Sequence, residues 1–403
     1  MPMTLTEETL RFIREHRKDN VRDLALQARK YPAIDMPAAI TQIAGRQVAE
    51  VKVPAWADRD DILYPLHLSM EQCSSEITAR YKAEIVSKSA SGSHETFTDL
   101  TGGFGIDCAF LSACFRQATY VERQEALCEI ASHNFPLLDL SHVTVCHDDS
   151  VRHLQTMSPV DWIFIDPARR DGKGGKTVAI SDCEPDVSTL ESLLLEKAQH
   201  VLVKLSPMLD LTLALNDLKH VQEVHIVSAG NECKELLLVL GHKESPSTEE
   251  IPVHCVNLAP ALTTRPLTFT RRQEKDSTCK YTSTLKAYLY EPNASLLKAG
   301  AFRTISSVYG IEKLHPNSHL YTSDTYLPDF PGRKFRILNS CGFGKNEIKE
   351  VLGTEKKANL TVRNFPASVA ELRKRLKLAE GGDTYLFATT LANEKKVLIV
   401  CQP

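Results

Sequence analysis

A glycine-rich turn over residues 97–107 constrains the fold more than any other stretch, because a strand must enter it and a helix must leave it. Gly102, Gly103 and Gly105 permit positive φ and present no Cβ to a ligand, while the helix start offers unpaired N–H groups. The turn therefore predicts a site for a phosphate or a nucleoside. The same pattern also fits a ligand-free turn or a loose dinucleotide fingerprint over residues 103–108.

Acidic residues stand at the ends of the predicted strands. Asp99 precedes Gly103 by four residues, and its carboxylate can accept from an ammonium group or a ribose, whereas a dinucleotide pyrophosphate has no use for another negative charge. Glu122 follows Asp99 by 23 residues, the spacing of one βαβ step, so it should lie within reach of ribose hydroxyls. A third strand ends in Asp148 and Asp149, one of which could accept from an adenine amino group.

The next predicted strand, residues 160–165, is almost entirely apolar and ends in Asp166-Pro167, which is typical of a strand buried on both faces of a parallel sheet. With the helices between them, the strands predict an α/β unit with a seven-stranded, mostly parallel sheet and one reversed edge. The seven strands are expected near residues 97–99, 118–123, 143–149, 160–165, 201–205, 221–227 and 235–240.

Helices precede this unit, in residues 1–90. The last of them runs toward the glycine turn, and Gln72 and Ser74 are candidates for a lid over the ligand, although ordinary helix capping is the simpler role. After a linker at residues 245–250, the chain from residue 251 onward mixes short strands with helices, which predicts one or two small α+β units. Their strands are expected near residues 267–270, 334–338, 359–362, 384–389 and 396–401.

The four ordered acids and the glycines resemble class I S-adenosylmethionine-dependent methyltransferases, over about residues 68–242. In that family the first acid and the glycines hold the methionyl part of the cofactor, the second acid holds ribose and the third meets adenine. The Asp-Pro pair faces the methyl acceptor, which implies Asp166 and Pro167 as the catalytic pair. The implied cofactor-binding residues are Asp99, Thr101, Gly102, Gly103, Gly105, Asp107, Glu122, Arg123, Asp148 and Asp149.

The run from Asp166 to Arg170, with the helical preface and a basic C-terminal end, looks more narrowly like bacterial methyltransferases that carry a C-terminal THUMP-like domain. This resemblance implies a Rossmann-like methyltransferase domain at residues 91–245, a ferredoxin-like domain at 251–330 and a THUMP-like domain at 331–403. THUMP-like domains are associated with RNA in other proteins, so the resemblance favours ribosomal or transfer RNA as the substrate.

The chemistry of an amino acceptor gives Asp166 a role. An exocyclic base nitrogen is a poor nucleophile, and a carboxylate together with the Pro167 carbonyl could accept both amino hydrogens and aim the lone pair at the methyl group. Such positioning can be worth roughly 7–11 kcal/mol. Three basic side chains are predicted to bind the substrate, for example through its phosphates: Arg169, Arg170 and Lys204.

One departure from the family pattern leaves the methylated atom open. Amino-methylating relatives follow Asp-Pro with proline and an aromatic residue, but Ala168 and Arg169 stand there in this chain. Arginine at that place also occurs in uridine-C5 methyltransferases, which need a nucleophilic cysteine after the next strand. The sequence at residues 204–207 has none, and Cys183 is predicted to be a small buried residue, so covalent catalysis is disfavoured.

A second glycine-containing run, residues 171–177, resembles a P-loop. The motif needs a glycine at position 170, where this chain has arginine, so ATP binding is not predicted. The run is interpreted instead as a basic loop beside the active site.

The distribution of charge is uneven. The formal net charge is only −3, yet residues 91–260 carry 12 basic and 25 acidic side chains, whereas residues 261–377 carry 21 and 10. The basic segment fits a solvated or domain-docking surface and a polyanion-binding surface equally well.

The remaining composition narrows the class of protein. The 11 cysteines are scattered without a Cys-x-x-Cys pair or a Cys/His cluster at metal-ligand spacing, so neither a metal site nor disulfides are expected, which fits a cytoplasmic location. No run of 18 apolar residues predicts a membrane span. The predicted function is RNA methylation. The alternatives are methylation of a protein or small molecule, a cofactor- and RNA-binding protein without turnover, and a dehydrogenase.

Overall fold

The computed structural model describes residues 5–89, 94–169, 179–245, 247–259, 266–353 and 355–403. Its contacts divide the chain into two compact units. The first contains residues 1–223 and 235–245, and the second contains residues 224–234 and 246–403. No helix in these described ranges is long and apolar enough to cross a membrane.

The first unit opens with the predicted helices. Asp35 caps the longest of them by accepting from the Ala38 backbone N–H at 3.1 Å, and Phe12, Leu24 and Ile43 form the core beneath it. The helices of this unit are α1 (Glu7–Glu15), α2 (Val21–Leu26), α3 (Met36–Lys52), α4 (Pro54–Ala57), α5 (His67–Gln72), α6 (Glu76–Lys88), α7 (Ile106–Ser112), α8 (Glu125–Leu137), α9 (Ser150–Thr156), α10 (Val187–Lys197) and α11 (Leu211–Asp217), with 3₁₀ turns at Ala28–Lys30 and Ile180–Asp182.

Strands alternate with helices after α6, as the sequence predicts. Parallel pairing joins four consecutive strands at the middle and one edge of the sheet, and the four residues from Trp162 to Ile165 are buried on both faces. The strands are β1 (Thr96–Asp99), β2 (Gln117–Glu122), β3 (Val143–His147), β4 (Val160–Ile165), β5 (Ala168–Arg169), β6 (Cys183–Glu184), β7 (Ala198–Leu205), β8 (Val221–Ala229) and β9 (Glu232–Gly241).

The main sheet has nine strands, so the prediction of seven strands with one reversed edge was wrong. Its order is β11-β10-β8-β9-β7-β4-β1-β2-β3, with β10 (Val253–Leu258) and β11 (Leu267–Phe269) added beyond β8. The antiparallel strand β9 lies inside the sheet between β7 and β8. A tight turn at Gly230 and Asn231, both with positive φ, returns the chain from β8 into β9. Only non-local pairing reveals β10, which is parallel to β8.

The second unit is built on a seven-stranded sheet of order β13-β14-β12-β15-β18-β17-β16. Its pairs are antiparallel except β16 with β17, and a bulge between Ile337 and Asn339 interrupts β15. Four of the five strands predicted after residue 251 fall within this sheet. Its elements are β12 (Tyr288–Pro292), β13 (Glu312–Lys313), β14 (Tyr321–Ser323), β15 (Gly332–Cys341), β16 (Asn359–Arg363), β17 (Tyr385–Thr390) and β18 (Lys396–Gln402), with helices α12 (Arg271–Asp276), α13 (Ala294–Ala299), α14 (Phe302–Tyr309), α15 (Lys345–Leu352) and α16 (Val369–Leu376).

Candidate active site

A cavity of about 600 Å³ opens in the first unit, at the carboxyl ends of strands β1, β2, β4 and β7. Parallel strands bring their C-terminal residues to one edge of a sheet, which is where ligands bind in folds of this type. The predicted residues that line it are Thr101, Gly102, Gly103, Gly105, Asp107, Glu122, Arg123, Asp149, Asp166 and Lys204.

The turn requires glycine for different physical reasons at its different positions. A Cβ on Gly102 would lie 2.2 Å from the Tyr120 ring, so this position is reserved for close packing. Gly103 and Gly105 have φ values of 54° and 90°, and a Cβ on Gly103 would meet nothing closer than 3.8 Å. The Tyr120 hydroxyl donates to the Gly103 carbonyl at 2.5 Å, which holds the loop against β2. The loop is therefore fixed to Tyr120 at Gly103 and leaves open space beside that residue.

Glu122 ties the end of β2 to the glycine loop. Its carboxylate accepts from the backbone N–H of Gly103 at 2.9 Å and from that of Gln124 at 2.8 Å, and its side chain is 8% exposed. Each of its two oxygens can accept a further hydrogen bond. The predicted role in holding ribose stays a prediction, but the structural role in shaping the loop is clear.

Asp99 lies beneath the cavity and does not line it. One carboxylate oxygen accepts from the Thr101 backbone N–H at 2.9 Å, while Oδ2 is buried without a hydrogen-bond partner among the described residues. Burial, reinforced by the Asp107, Asp166 and Glu122 carboxylates, raises the pKa of Asp99 well above its ordinary value. A cationic group of a ligand would supply what this site lacks, a donor and a positive charge.

The third-strand acids have separate surroundings. Asp149 caps α9 by accepting from the backbone N–H groups of Val151 and Arg152, both at 3.0 Å, and it lines the cavity. Asp148 is outside the lining and pairs with the Arg152 guanidinium. Of the two candidates for the adenine contact, only Asp149 is suitably placed.

Asp148 also belongs to a cluster that the sequence analysis did not expect. Its carboxylate lies 3.6 Å from Nδ1 of His153, which in turn lies 3.7 Å from the Cys146 thiol. These three side chains are close enough to share a metal ion. The ligands come from a strand, a turn and a helix, so no short cysteine-histidine motif reveals them.

Asp166 stands at the mouth of the cavity, at the end of β4. Its backbone N–H donates to the Thr101 hydroxyl at 2.7 Å, which connects the ends of β4 and β1. Its carboxylate is 35% exposed and pairs with the Lys204 ammonium, which comes from the end of β7. Pro167 is buried beside it. Lys204 therefore contacts the proposed catalytic acid, in addition to any contact with substrate.

A buried charge network continues from Lys204 into the protein. Lys204 Nζ lies 3.7 Å from Asp107, and Asp107 lies 3.2 Å from Lys82 Nζ. Lys82, on α6, is fully buried and donates to both oxygens of Glu235, at 2.7 and 2.8 Å. Ser74, a candidate lid residue, lines the cavity together with Gln72 and donates to Asp107 at 2.7 Å. No local sequence pattern reveals the pairing of Lys82 with Glu235, because 153 residues separate them.

The network perturbs the ionisation of its members. Burial alone would raise the pKa of Asp107, but the Lys82 and Lys204 ammonium groups and the Ser74 hydroxyl outweigh it, so that pKa lies below its ordinary value. Burial would lower the pKa of Lys204, yet the Asp166, Asp107 and Glu235 carboxylates raise it above the ordinary value of a lysine. Lys204 is thus a permanent cation at the cavity wall at neutral pH.

The structure describes less of the other predicted substrate-binding residues. The backbone of Arg169 pairs with that of Cys183 between β5 and β6, and Arg170 and the P-loop-like run at 171–177 lie outside the described residues. Cys183 is 2% exposed, which confirms the prediction of a small buried residue. Arg123 lines the cavity and lies 3.6 Å from Glu184.

Comparison with known proteins gives a match that spans the whole chain. A candidate methyltransferase from Porphyromonas gingivalis W83, known from its crystal structure, is 36% identical over 99% of each chain, with a TM-score of 0.85. Family models match a ferredoxin-like domain at residues 288–331 and a THUMP domain-like region at 332–403. No curated protein matches the chain significantly.

Two further solved structures share only part of the chain. An rRNA methylase from Streptococcus thermophilus is 12% identical, with a TM-score of 0.30, over 40% of this chain and 94% of that one. A SAM-dependent methyltransferase from Agrobacterium tumefaciens is 18% identical, with a TM-score of 0.25, over 32% and 43%. These scores are too low to support an argument about this chain.

Proposed function

Because the chain belongs to the bacterial family of class I methyltransferases with a C-terminal THUMP-like domain, we propose that it transfers a methyl group from S-adenosylmethionine to a base amino group in ribosomal or transfer RNA. The single observation that carries this proposal is the cavity, where Asp166 and the glycine loop meet. The domain limits predicted above and a cytoplasmic location are parts of the same proposal.

The cavity fits the cofactor in two respects. Its lining carries the Asp107, Glu122 and Asp149 carboxylates, which suits a cofactor with a positive charge, whereas Asp99, whose Oδ2 lacks a donor among the described residues, lies outside that lining. The open space at Gly103 allows close approach to the backbone. Glu122 and Asp149 are the residues proposed to hold ribose and adenine. When bound, the cofactor supplies an electrophilic methyl group on a sulfonium centre.

The protein contributes positioning and charge to the reaction. Asp166 would accept the hydrogens of the acceptor amino group, which orients its lone pair. The Lys204 ammonium beside Asp166 would donate to a neighbouring ring nitrogen or carbonyl of the same base, because each base carries an acceptor next to a donor. Together the two side chains would hold a base edge in one orientation.

The second unit supports RNA as the partner. Its basic segment retains exposed side chains such as Arg336, Lys374 and Lys377, although Lys275 pairs with Glu249. The family model for the THUMP domain-like region covers residues 332–403 and so includes all three of these exposed side chains. A surface of this charge would bind phosphates with an affinity that falls as salt increases.

The test is transfer of labelled methyl groups from S-adenosylmethionine to total RNA from a strain that lacks the gene. We expect the wild type to label RNA, and Asp166→Ala to lose at least a hundredfold in rate while its cofactor affinity stays within twofold. Asp148→Ala is the matched control, because Asp148 also follows a strand of this sheet, β3, but is not among the residues that line the cavity. Digestion to nucleosides would then identify the methylated atom.

Two results would change the proposal. If RNA stays unlabelled while cofactor binding is intact, the methyl acceptor would instead be a protein or a small molecule, or the chain would bind the cofactor without turnover. A fully active Asp166→Ala variant would refute the catalytic role of Asp166 and leave the cofactor site standing.

A further inference from the structure

The buried charge network extends the candidate active site into the N-terminal helical region. We infer that Lys82 and Glu235 are positioning residues, whose buried ion pair holds the Asp107 carboxylate and, through it, keeps the Lys204 ammonium against Asp166. This inference rests on the proposed function, because Asp166 is the proposed catalytic acid. It makes helix α6 a working part of the site, beyond its role in packing.

The geometry forms a continuous alternation of charge. Glu235 holds Lys82 through two hydrogen bonds, and Lys82 lies 3.2 Å from Asp107. Asp107 lies 3.7 Å from Lys204, which pairs with Asp166. The exposed fraction of the side chain is 3% at Glu235 and 0% at Lys82, and it rises to 10% at Asp107, 13% at Lys204 and 35% at Asp166. The network therefore leads from the core to the cavity mouth.

Stability alone does not account for this arrangement. A buried ion pair costs so much desolvation that well-packed apolar residues usually stabilise a fold equally well. Here the pair has a specific neighbour, because Asp107 is 9% exposed and would favour its neutral form without Lys82. A neutral Asp107 would give Lys204 a weaker partner, and the ammonium would be less firmly oriented toward Asp166.

Several charged or titratable groups face Asp107, and all of them must be considered in a pH experiment. Lys82 and Lys204 favour its ionised form, whereas Asp99 and Glu235 oppose it. Burial raises the pKa of Glu235 itself, against the effect of Lys82. The groups that face Asp107 are Lys82 on α6, Lys204 on β7, Glu235 on β9, Asp99 at the end of β1, Cys73 after α5 and Cys108 on α7.

The first experiment follows thermal unfolding of the full chain from pH 4.5 to 7.5. It compares the wild type, the paired variant Lys82→Met/Glu235→Leu, Asp107→Asn, and the three substitutions combined. The paired variant removes both charges at similar volume, so the fold is preserved. Lys88→Met, on the same helix with a side chain 73% exposed, is the matched control.

The ionisation of Asp107 determines whether the loss of thermal stability caused by the paired substitution grows or shrinks as pH rises. In the wild type its pKa is below the ordinary value, so its contribution to stability persists as pH rises above 4. Without the pair, burial dominates and the contribution is lost as pH rises toward the new pKa. The cost of the paired substitution should therefore grow by roughly 2–4 °C or more across the range. In the Asp107→Asn background only the titration of Glu235 can change this cost with pH, so the cost should grow less there than when Asp107 is present. The same dependence on pH in both backgrounds would overturn the inference.

The second experiment measures methyl transfer to RNA with the same four proteins. The paired variant should lose roughly tenfold or more in kcat, because a small displacement in the site is costly, while cofactor affinity is retained. When Asp107→Asn is already present, adding the paired substitution should lower kcat by less than a further twofold. Additive losses would contradict a role through Asp107. A wild type that methylates no RNA would overturn the proposed function, and the unfolding series would still decide this inference.

Discussion

Two buried glutamates, one in each unit, use their cationic partners differently. Glu235 in the first unit holds Lys82, whose side chain is wholly inaccessible to solvent. Glu291 in the second unit is equally buried, but it holds two arginines, Arg333 at 2.6 Å and Arg363 at 2.9 Å, whose side chains are 39% and 37% exposed. One carboxylate thus faces inward to further buried charge, and the other anchors cations that face solvent.

The two clusters around these glutamates differ in the sign of their net charge and in their surroundings. The network that begins at Glu235 contains three carboxylates and two ammonium groups, a surplus of negative charge beside a cavity proposed to receive a cationic cofactor. The Glu291 cluster contains one carboxylate and two guanidinium groups, a surplus of positive charge at the surface. Similar buried acids therefore stand in clusters of opposite net charge.

The largest expected effect concerns stability. Lys82→Met should lower the free energy of unfolding by about 3–5 kcal/mol, because it leaves Glu235 and Asp107 buried without their common cation. Arg363→Gln should cost about 1 kcal/mol or less, since Arg333 still holds Glu291 and the exposed guanidinium is screened by solvent. Urea unfolding of the full chain would measure both. Equal costs would remove the distinction drawn between the two glutamates.

A third buried carboxylate sharpens the comparison, because its partners are backbone N–H groups. Glu122→Ala should weaken S-adenosylmethionine binding by about 1.5–3 kcal/mol, through loss of its own contacts and of the acceptors for Gly103 and Gln124. Isothermal calorimetry would give the affinity, with Glu125→Ala at the start of α8, outside the cavity lining, as a control. Unchanged affinity would exclude Glu122 from the cofactor site.

The positive surplus near Glu291 predicts sensitivity to acid. Burial, with help from the Lys313 and Arg363 charges, lowers the pKa of His319 to about 4. The fold therefore favours the neutral ring, and this stabilisation is complete above pH 6.5 and is lost as pH falls from about 6.5 to 4.

His319→Asn should reduce the loss of folding stability between pH 7.5 and 4.5 by about 1–2 kcal/mol, after allowance for the partial exposure of the His319 ring. Asparagine suits the backbone, because φ of residue 319 is 54°. The measurement is the unfolding midpoint at pH 7.5 and 4.5 in both proteins. An unaltered difference between the two pH values would show that His319 does not titrate in this way.

The smallest effect concerns RNA. If Arg333 contacts a phosphate, Arg333→Gln should lower the salt slope of RNA binding by about 0.7, a loss of well under tenfold in affinity at moderate salt. Filter binding at several salt concentrations would measure it, with Lys88→Gln from the first unit as the control. An unchanged slope would make the Glu291 cluster a structural ion pair only.

Local pattern was enough to predict much of the molecule. The alternation of apolar strands and helices placed β1 to β4, and Asp166 followed β4 because a buried strand ends where polar residues begin. The glycine turn was predictable for a similar reason, since Gly103 and Gly105 adopt backbone angles that disfavour other residues. The role of Gly102 was not, because its neighbour Tyr120 belongs to another strand.

The sequence by itself determined the order of β1 to β4 with the helices between them, the acids at the ends of those strands and the basic character of residues 261–377. Tertiary structure alone decided which charges meet. The number of strands in the sheet and the pairing of Lys82 with Glu235 depend on contacts between residues far apart in the chain, and local propensity carries no information about them. The same holds for Lys204 and Asp166, because two separate strands must align before their side chains become one site.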